Sequence, residues 1–349
     1  MTRTTNKRIN WILPAVLAVS VVLAFFISLF VGSSKMSLAD SIAALAHRST
    51  PAYERIIWNI RLPRVLAALI AGAGLAVAGL IMQTCLGNVM ASPSTLGVSN
   101  AAVFGANLSL IALSGGFLTL GTNATDAVRQ ADPFAVSAIA FIFAIASVLL
   151  VLALCRLRSF SPNTVILAGV AIGAIWTAAT TILQYHATDV GLSAAVIWSF
   201  GDLGRATYTQ DYIMLAVVGA CSVVFFALSW RFNALLGGDE AAHAVGVNVR
   251  LLRLVGLLLS SLITAVCVSF LGIIGFVGII CPHIVKRIVG SNHCISIPST
   301  LLLGCLLLLV TDTVSRSVGG GTALPVGAIT SLLGAPFFLA MLFTAKERG

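Results

Sequence analysis

Nine apolar stretches, most of them long enough to cross a lipid bilayer, leave this chain few folds to choose from. They run Trp11–Val31, Val65–Cys85, Leu96–Leu113, Phe134–Leu154, Val165–Leu183, Tyr212–Trp230, Leu251–Phe270, Ile297–Val310 and Leu324–Phe343. A helix rises 1.5 Å per residue, so about twenty apolar residues match the hydrocarbon thickness. Of 349 residues, 59% are hydrophobic and 9% charged, and the mean hydropathy is +1.06. No water-soluble domain of this size tolerates that balance. The expectation is an all-α, polytopic membrane protein forming a single domain over residues 1–349.

Charge sharpens the count. An Arg, Lys or Asp at mid-span costs about 2.5–3.5 kcal/mol on insertion scales, so charges should sit at span edges, and here they do. Between the seventh and eighth stretches lies Ile273–Cys281, too short to cross alone. A single helix over Leu251–Cys281 would be over-long and would carry Gly272, Gly275 and Gly278 toward its end. A break near Gly272 is expected instead, giving ten spans and both termini on one side. Arg3, Lys7, Arg8, Arg156, Arg158, Arg231, Arg250, Arg253, Lys286, Arg287, Lys346 and Arg348 then share the termini's side, twelve of the twenty basic residues. Outside the first loop only Arg129, Arg205 and Arg316 face the other way. Cytoplasmic termini follow from the positive-inside rule.

Several chemistries have no basis in the residues. None of the four lysines, Lys7, Lys35, Lys286 and Lys346, follows a glycine in a phosphate-binding loop, so nucleotide hydrolysis is not expected. Seven cysteines lie mostly within spans without a Cys-x-x-Cys pair, which reads as packing rather than disulfides. Cys281, His283, His293 and Cys294 match no zinc spacing. No catalytic constellation, metal site or cofactor is expected, and the net charge of +9, spread over loops and termini, speaks for membrane orientation rather than nucleic acid. The apolar run after Arg3, Lys7 and Arg8 is too long for a cleaved signal and stays as a span. Gly319-Gly320-Gly321 reads as a flexible turn. Small residues at Ala68, Gly72, Ala76 and Gly79, and at Gly169, Gly173 and Thr177, let helices approach closely.

Two polar stretches stand out. The loop over 32–64, expected outside the cell, carries Lys35, Arg48, Arg55, Arg61 and Arg64 against Asp40 and Glu54, on the side where positive charge is disfavoured. Either Arg61 and Arg64 snorkel at the head of the second span, or they face an acidic protein partner through bidentate pairs. The second stretch, over 232–250, reads Leu236-Gly237-Gly238-Asp239-Glu240-Ala241-Ala242-His243-Ala244-Val245-Gly246. A glycine pair breaks the backbone, two acids open a helix and Gly246 can close it. The product is a short helix held between two spans, a knob for a soluble partner.

At this point the residues resemble the FecCD-type permease subunits of ABC importers for iron–siderophores, haem and cobalamin. The resemblance rests on Arg61-Leu62-Pro63-Arg64, Leu96-Gly97-Val98-Ser99, the polar loop from Gly238 to Gly246, Gly275-Phe276-Val277-Gly278, Pro282-His283-Ile284-Val285-Lys286-Arg287, Leu324-Pro325-Val326-Gly327 and Gly334-Ala335-Pro336-Phe337. It covers nearly the whole chain. It implies a non-enzymatic permease in a prokaryotic cytoplasmic (inner) membrane, carrying an iron–siderophore or, alternatively, haem or cobalamin.

The roles come with the resemblance. Gly238, Asp239, Glu240, Ala241, Ala242 and Gly246 would couple to a cytoplasmic ABC ATPase dimer. Arg61, Arg64 and Arg316 would receive acidic residues of an external substrate-binding protein. Asn88 and Met90, with Ser161, Pro162 and Asn163, would close the inner gate, and a second permease subunit, identical or sister, would complete the pathway. Two positions depart from the family pattern: Asn88-Val89-Met90-Ala91 stands where Asn-Pro-Leu-Ala is usual, and Gly201-Asp202-Leu203 where Gly-Ser-Leu is common.

The energetics agree. Swinging a pathway from 1:99 to 99:1 takes about 5.5 kcal/mol of differential binding, and this chain holds no source for it. A rival class, an ion-coupled secondary transporter, needs ionisable groups deep in the bilayer. Asp312 is the sole acidic candidate by sequence.

Overall fold

The computed structural model describes residues 11–32, 36–114, 132–157, 161–318 and 323–345. Arg3, Lys7, Arg8, Lys35, Arg129, Arg158, the Gly319–Gly321 turn, Lys346 and Arg348 lie outside them. The long elements are α1 Ile12–Phe30, α2 Leu62–Leu86, α3 Val98–Asn107, α4 Pro133–Leu157, α5 Pro162–Tyr185, α6 Tyr208–Ala227, α7 Val249–Leu271, α8 Val277–Val289, α9 His293–Val318 and α10 Val326–Ala345. No strand occurs among the described residues. Seven helices there are long and apolar enough to cross a membrane, and the stretches at 98–113, 189–199 and 326–340 are apolar but shorter.

The expected break is present. Helix α7 ends at Leu271, Gly272 takes φ +78°, and α8 begins only at Val277 after Phe276 at φ +64°. Left-handed backbone costs a side chain about 1–2 kcal/mol, so Phe276 needs support. It has it: a Cβ added to Gly334 would lie 2.2 Å from the Phe276 ring, which therefore rests directly on that glycine. The helices extend past the apolar runs by one to four residues at most ends, because capping residues are polar. Ser161 caps α5, Asn248 caps α7, and Thr207 with Gln210 forms a capping box at α6. Three pieces were not anticipated from the sequence: Leu38–Leu45, Asp189–Ser199, and the Pro51–Arg61 turns that run into α2 without interruption.

The chain divides into two compact units. One comprises Met1–Leu80, Asp202–Asn233 and Ile274–Gly349. In it α9 is the hub, packed on α1, α6, α8 and α10. Glycines set the closest approaches. A Cβ on Gly72 would lie 2.3 Å from the Gly304 carbonyl oxygen, and one on Gly79 would lie 1.9 Å from that of Gly278. The stripe Ala68, Gly72, Ala76 and Gly79 is thus a backbone-to-backbone seat for α9 and α8, the small-residue packing that lipid-embedded helices depend on.

The other unit comprises Ile81–Gly201 and Ala234–Ile273. Here α3 sits among α4, α5 and α7. Gly169 of α5 lets the turn Pro93–Leu96 approach, with Thr95 O at 2.1 Å from a built Cβ. Phe104, Phe143 and Trp176 form a ring cluster with centroids 5.1–5.6 Å apart, and the Trp176 indole N–H donates to Ser147 Oγ at 3.1 Å. Such a cluster gives rigid apolar area and leaves no buried indole donor unmet.

Candidate functional site

The polar stretch after α6 folds as its residues demand. Gly238 takes φ +95° as the N-cap of a six-residue helix, Asp239–Ala244, and Gly246 at φ +79° reverses the chain after it. Ala242 is fully buried, while Glu240 and His243 are exposed. Leu236 is 46% exposed and Val245 60%, so two apolar side chains flank the helix uncovered. A helix of six residues does not hold itself together in water. What holds this one is Arg253, one turn into α7: its Nη1 and Nη2 donate to the two Asp239 carboxylate oxygens at 2.7 Å each, and its Nε donates to Cys85 O at 2.9 Å.

Asp239 is thus engaged inward, and Glu240 is the acid left outward. Arg253 was missed as a functional residue in the sequence, although its position inside an apolar run calls for a partner.

The arginines of the opposite kind of site lie in the first unit, and they are not exposed. Arg61 is 4% exposed, Arg64 9% and Arg316 7%. Arg61 Nη1 donates to Leu29 O and Phe30 O at 3.0 and 2.8 Å, tying α2's approach to the end of α1. Arg316 Nη2 donates to Ser28 O and Oγ, and its Nη1 to Val31 O at 2.6 Å. Asp312, fully buried, accepts from Arg64 Nε at 2.7 Å and Arg316 Nε at 2.9 Å. The pair four apart in sequence is there, joined by Arg64 248 residues away.

Asp202, the residue that departs from the family pattern, lies 3.4 Å from Arg64 Nη2 and caps the Gly204 N–H. Nearby Arg205 is held below its ordinary pKa by burial, with Asp202 opposing. Among the described residues, the exposed arginines of the first loop are Arg48 and Arg55.

The gate candidates form two separate turns in the second unit. Asn88 Oδ1 accepts the Met90 N–H at 2.8 Å after Gly87 at φ +56°, and Met90 is 38% exposed. Ser161 Oγ caps Thr164 N at 3.3 Å, with Pro162 opening the helix and Asn163 exposed. These bonds hold each turn together from within. One further carboxylate was passed over in the sequence: Asp211, in the first turn of α6, is 2% exposed and its oxygens have no hydrogen-bond partner among the described residues.

Comparison with known proteins gives this geometry its context. Residues 20–344 match the FecCD transport family. A chain of Methanocaldococcus jannaschii, named provisionally as an ABC transporter permease protein, is 43% identical over 99% of this chain and 97% of its own length. The hemin transport system permease protein HmuU of Yersinia pestis is 34% identical over 93% of this chain and 95% of its own. The vitamin B12 import system permease protein BtuC of Shigella boydii is 34% identical over 98% and 97%. Among solved structures, an inward-facing ABC transporter assigned provisionally to the metal-chelate type superposes with a TM-score of 0.80 at 27% identity, covering 95% of this chain and 98% of that one. With these likenesses spanning nearly the whole chain, it belongs to the FecCD transport family and is a permease of an ABC importer.

Proposed function

We propose that the chain carries an iron–siderophore complex inward across a prokaryotic cytoplasmic membrane, as one of two permease subunits driven by an ATPase dimer and fed by an external binding protein. Support for a chelate cargo comes from the metal-chelate assignment of the solved structure and from relatives that carry hemin and vitamin B12. Haem or cobalamin is the alternative cargo on the same grounds. The ten helices α1 to α10 are proposed as ten spans with both termini cytoplasmic, following the charge asymmetry.

The observation that carries the mechanism is the Arg253–Asp239 clamp. A knob helix loosely tethered would dissipate a partner's motion in its own loop. Fixed by two charge-assisted bonds to Arg253 of α7, whose Nε is in turn anchored on Cys85 O, it transmits that motion to the helix behind it. In this reading Leu236, Glu240, Ala241 and Val245 meet the ATPase cleft, while Gly238 and Gly246 set the entry and exit angles and buried Ala242 packs the short helix against the protein. Asn88, Met90, Ser161, Pro162 and Asn163 are proposed to gate the inner mouth.

Arg61, Arg64 and Arg316 are proposed to serve docking through the positive field of their cluster rather than by direct pairing, since all three are buried and hold Ser28, Leu29, Phe30, Val31 and Asp312. Direct contact with an acidic partner falls to exposed Arg48 and Arg55. Glu240→Lys, tested by co-purification, should release the ATPase without lowering thermal stability. Retention of the ATPase by Leu236→Lys, Glu240→Lys and Val245→Lys together would defeat the assignment.

A further inference from the structure

Where the last turns of α4 lie beside the first turns of α7, the surface opens into a groove of 720 Å³. Its walls are Leu149 and Leu152 from α4 and Leu254 and Leu258 from α7. At one end both helices present an arginine, Arg156 in the last turn of α4 and Arg250 in the first turn of α7. Seven residues separate Leu149 from Arg156 and eight separate Arg250 from Leu258, so the apolar trough runs roughly 10–12 Å along the helices from the basic mouth. Neither arginine has a hydrogen-bonding or ionic partner among the described residues, and both are exposed.

The other polar residues at the start of α7 are already engaged. Asn248 caps the helix through Leu251 N at 3.0 Å, and Arg253, which does not line the groove, holds Asp239. The split between a two-arginine mouth and a leucine-walled trough at the boundary of membrane helices matches one class of molecule. A phosphodiester headgroup satisfies the two guanidinium groups, and the acyl chain beneath it fills the trough. A soluble anion would leave the trough exposed, and a zwitterionic lipid would set its own cation against the arginines.

We infer that the groove between α4 and α7 is a binding site for an anionic glycerophospholipid, its phosphate on Arg156 and Arg250. The site differs from the ATPase-docking helix and from the arginine cluster at α2 and α9. It needs the proposed topology only for the choice of leaflet.

Native mass spectrometry of the detergent-purified permease–ATPase complex, titrated with phosphatidylglycerol or phosphatidylcholine of matched chains, tests it. Each arginine near the bilayer surface contributes about fivefold in affinity, so Arg156→Gln with Arg250→Gln should weaken phosphatidylglycerol binding about 30-fold and leave phosphatidylcholine unchanged. Arg156→Lys with Arg250→Lys should retain most of the binding, and Arg231→Gln, a basic residue that does not line the groove, should not alter it. Glycerol phosphate, which lacks the chains, should not displace the lipid. Equal retention of phosphatidylglycerol by the glutamine pair overturns the proposal, as does equal affinity of the intact protein for the two lipids. If lipid binds only after the ATPase is removed, the groove is a protein contact and the proposal also fails.

Discussion

Replacing Arg253 by Met tests the lever directly, because it removes the clamp while keeping a side chain of similar length in α7. Asp239 is 49% exposed and Arg253 12%, so the ion pair lies between the surface and buried cases and is worth about 1 kcal/mol after solvent screening. The Nε bond to Cys85 O orients the Arg253 guanidinium against the end of α2 and does not itself touch the short helix. The pair biases the six-residue helix toward its seated position by about 1 kcal/mol, or about fivefold in population. The span itself should stay folded, since α7 remains capped by Asn248 and buried along its length.

The assay is uptake per ATP hydrolysed in proteoliposomes holding the full complex. Arg253→Met should lower that ratio severalfold with little change in thermal stability. Asp239→Asn should do the same, and the double variant should be no worse than either single change, as a shared contact demands. Arg253→Asp with Asp239→Arg should recover part of the loss. If Arg253→Met couples like the unaltered protein while Asp239→Asn does not, Asp239 acts on the ATPase itself and the clamp is not the device.

Asp312→Asn leaves Arg64 and Arg316 facing each other without their carboxylate, which should cost about 3–5 kcal/mol and show as a large loss of thermal stability. Any uptake that survives should still require ATP; uptake independent of ATP in the unaltered protein would point to ion coupling instead. Arg48→Glu with Arg55→Glu should weaken capture of the external binding protein at unchanged stability, whereas Arg64→Glu should prevent accumulation of the protein. Gly304→Leu should also abolish accumulation, because a Cβ there already falls 2.1 Å from Gly72 O. Gly219→Ala, whose Cβ meets nothing within 4 Å, should be neutral or stabilise by about 0.5–1 kcal/mol, read by thermal denaturation in detergent.

The helices were legible because lipid imposes a length and forbids charge. The Gly272 break was legible because a run of roughly 30 apolar residues exceeds any bilayer. Helix ends were less so, since caps such as Ser161 and Thr207 are polar and lie outside the apolar signal. The helix Asp189–Ser199 escaped notice because it is too short to register as a span. In the site, the spacing of Asp312 and Arg316 disclosed a pair four residues apart. Nothing local disclosed that Arg64 completes it, or that Arg253 grips Asp239 fourteen residues back. Those contacts depend on which helices the fold sets side by side. For Arg61 and Arg64 the sequence left open whether they turn back on the protein or face a partner, and only the fold shows carbonyl groups at the end of α1 enclosing one and Asp312 holding the other.

The crossings of α2 with α9 and α8 bring peptide group against peptide group, with no rotamer between them to absorb a change. An interface built from side chains can drift, one compensating substitution at a time, as a lineage adapts to new cargo. This one cannot, because every amino acid other than glycine is larger than the gap. A change in what this chain transports must therefore be written elsewhere in it, around a joint whose dimensions glycine fixes.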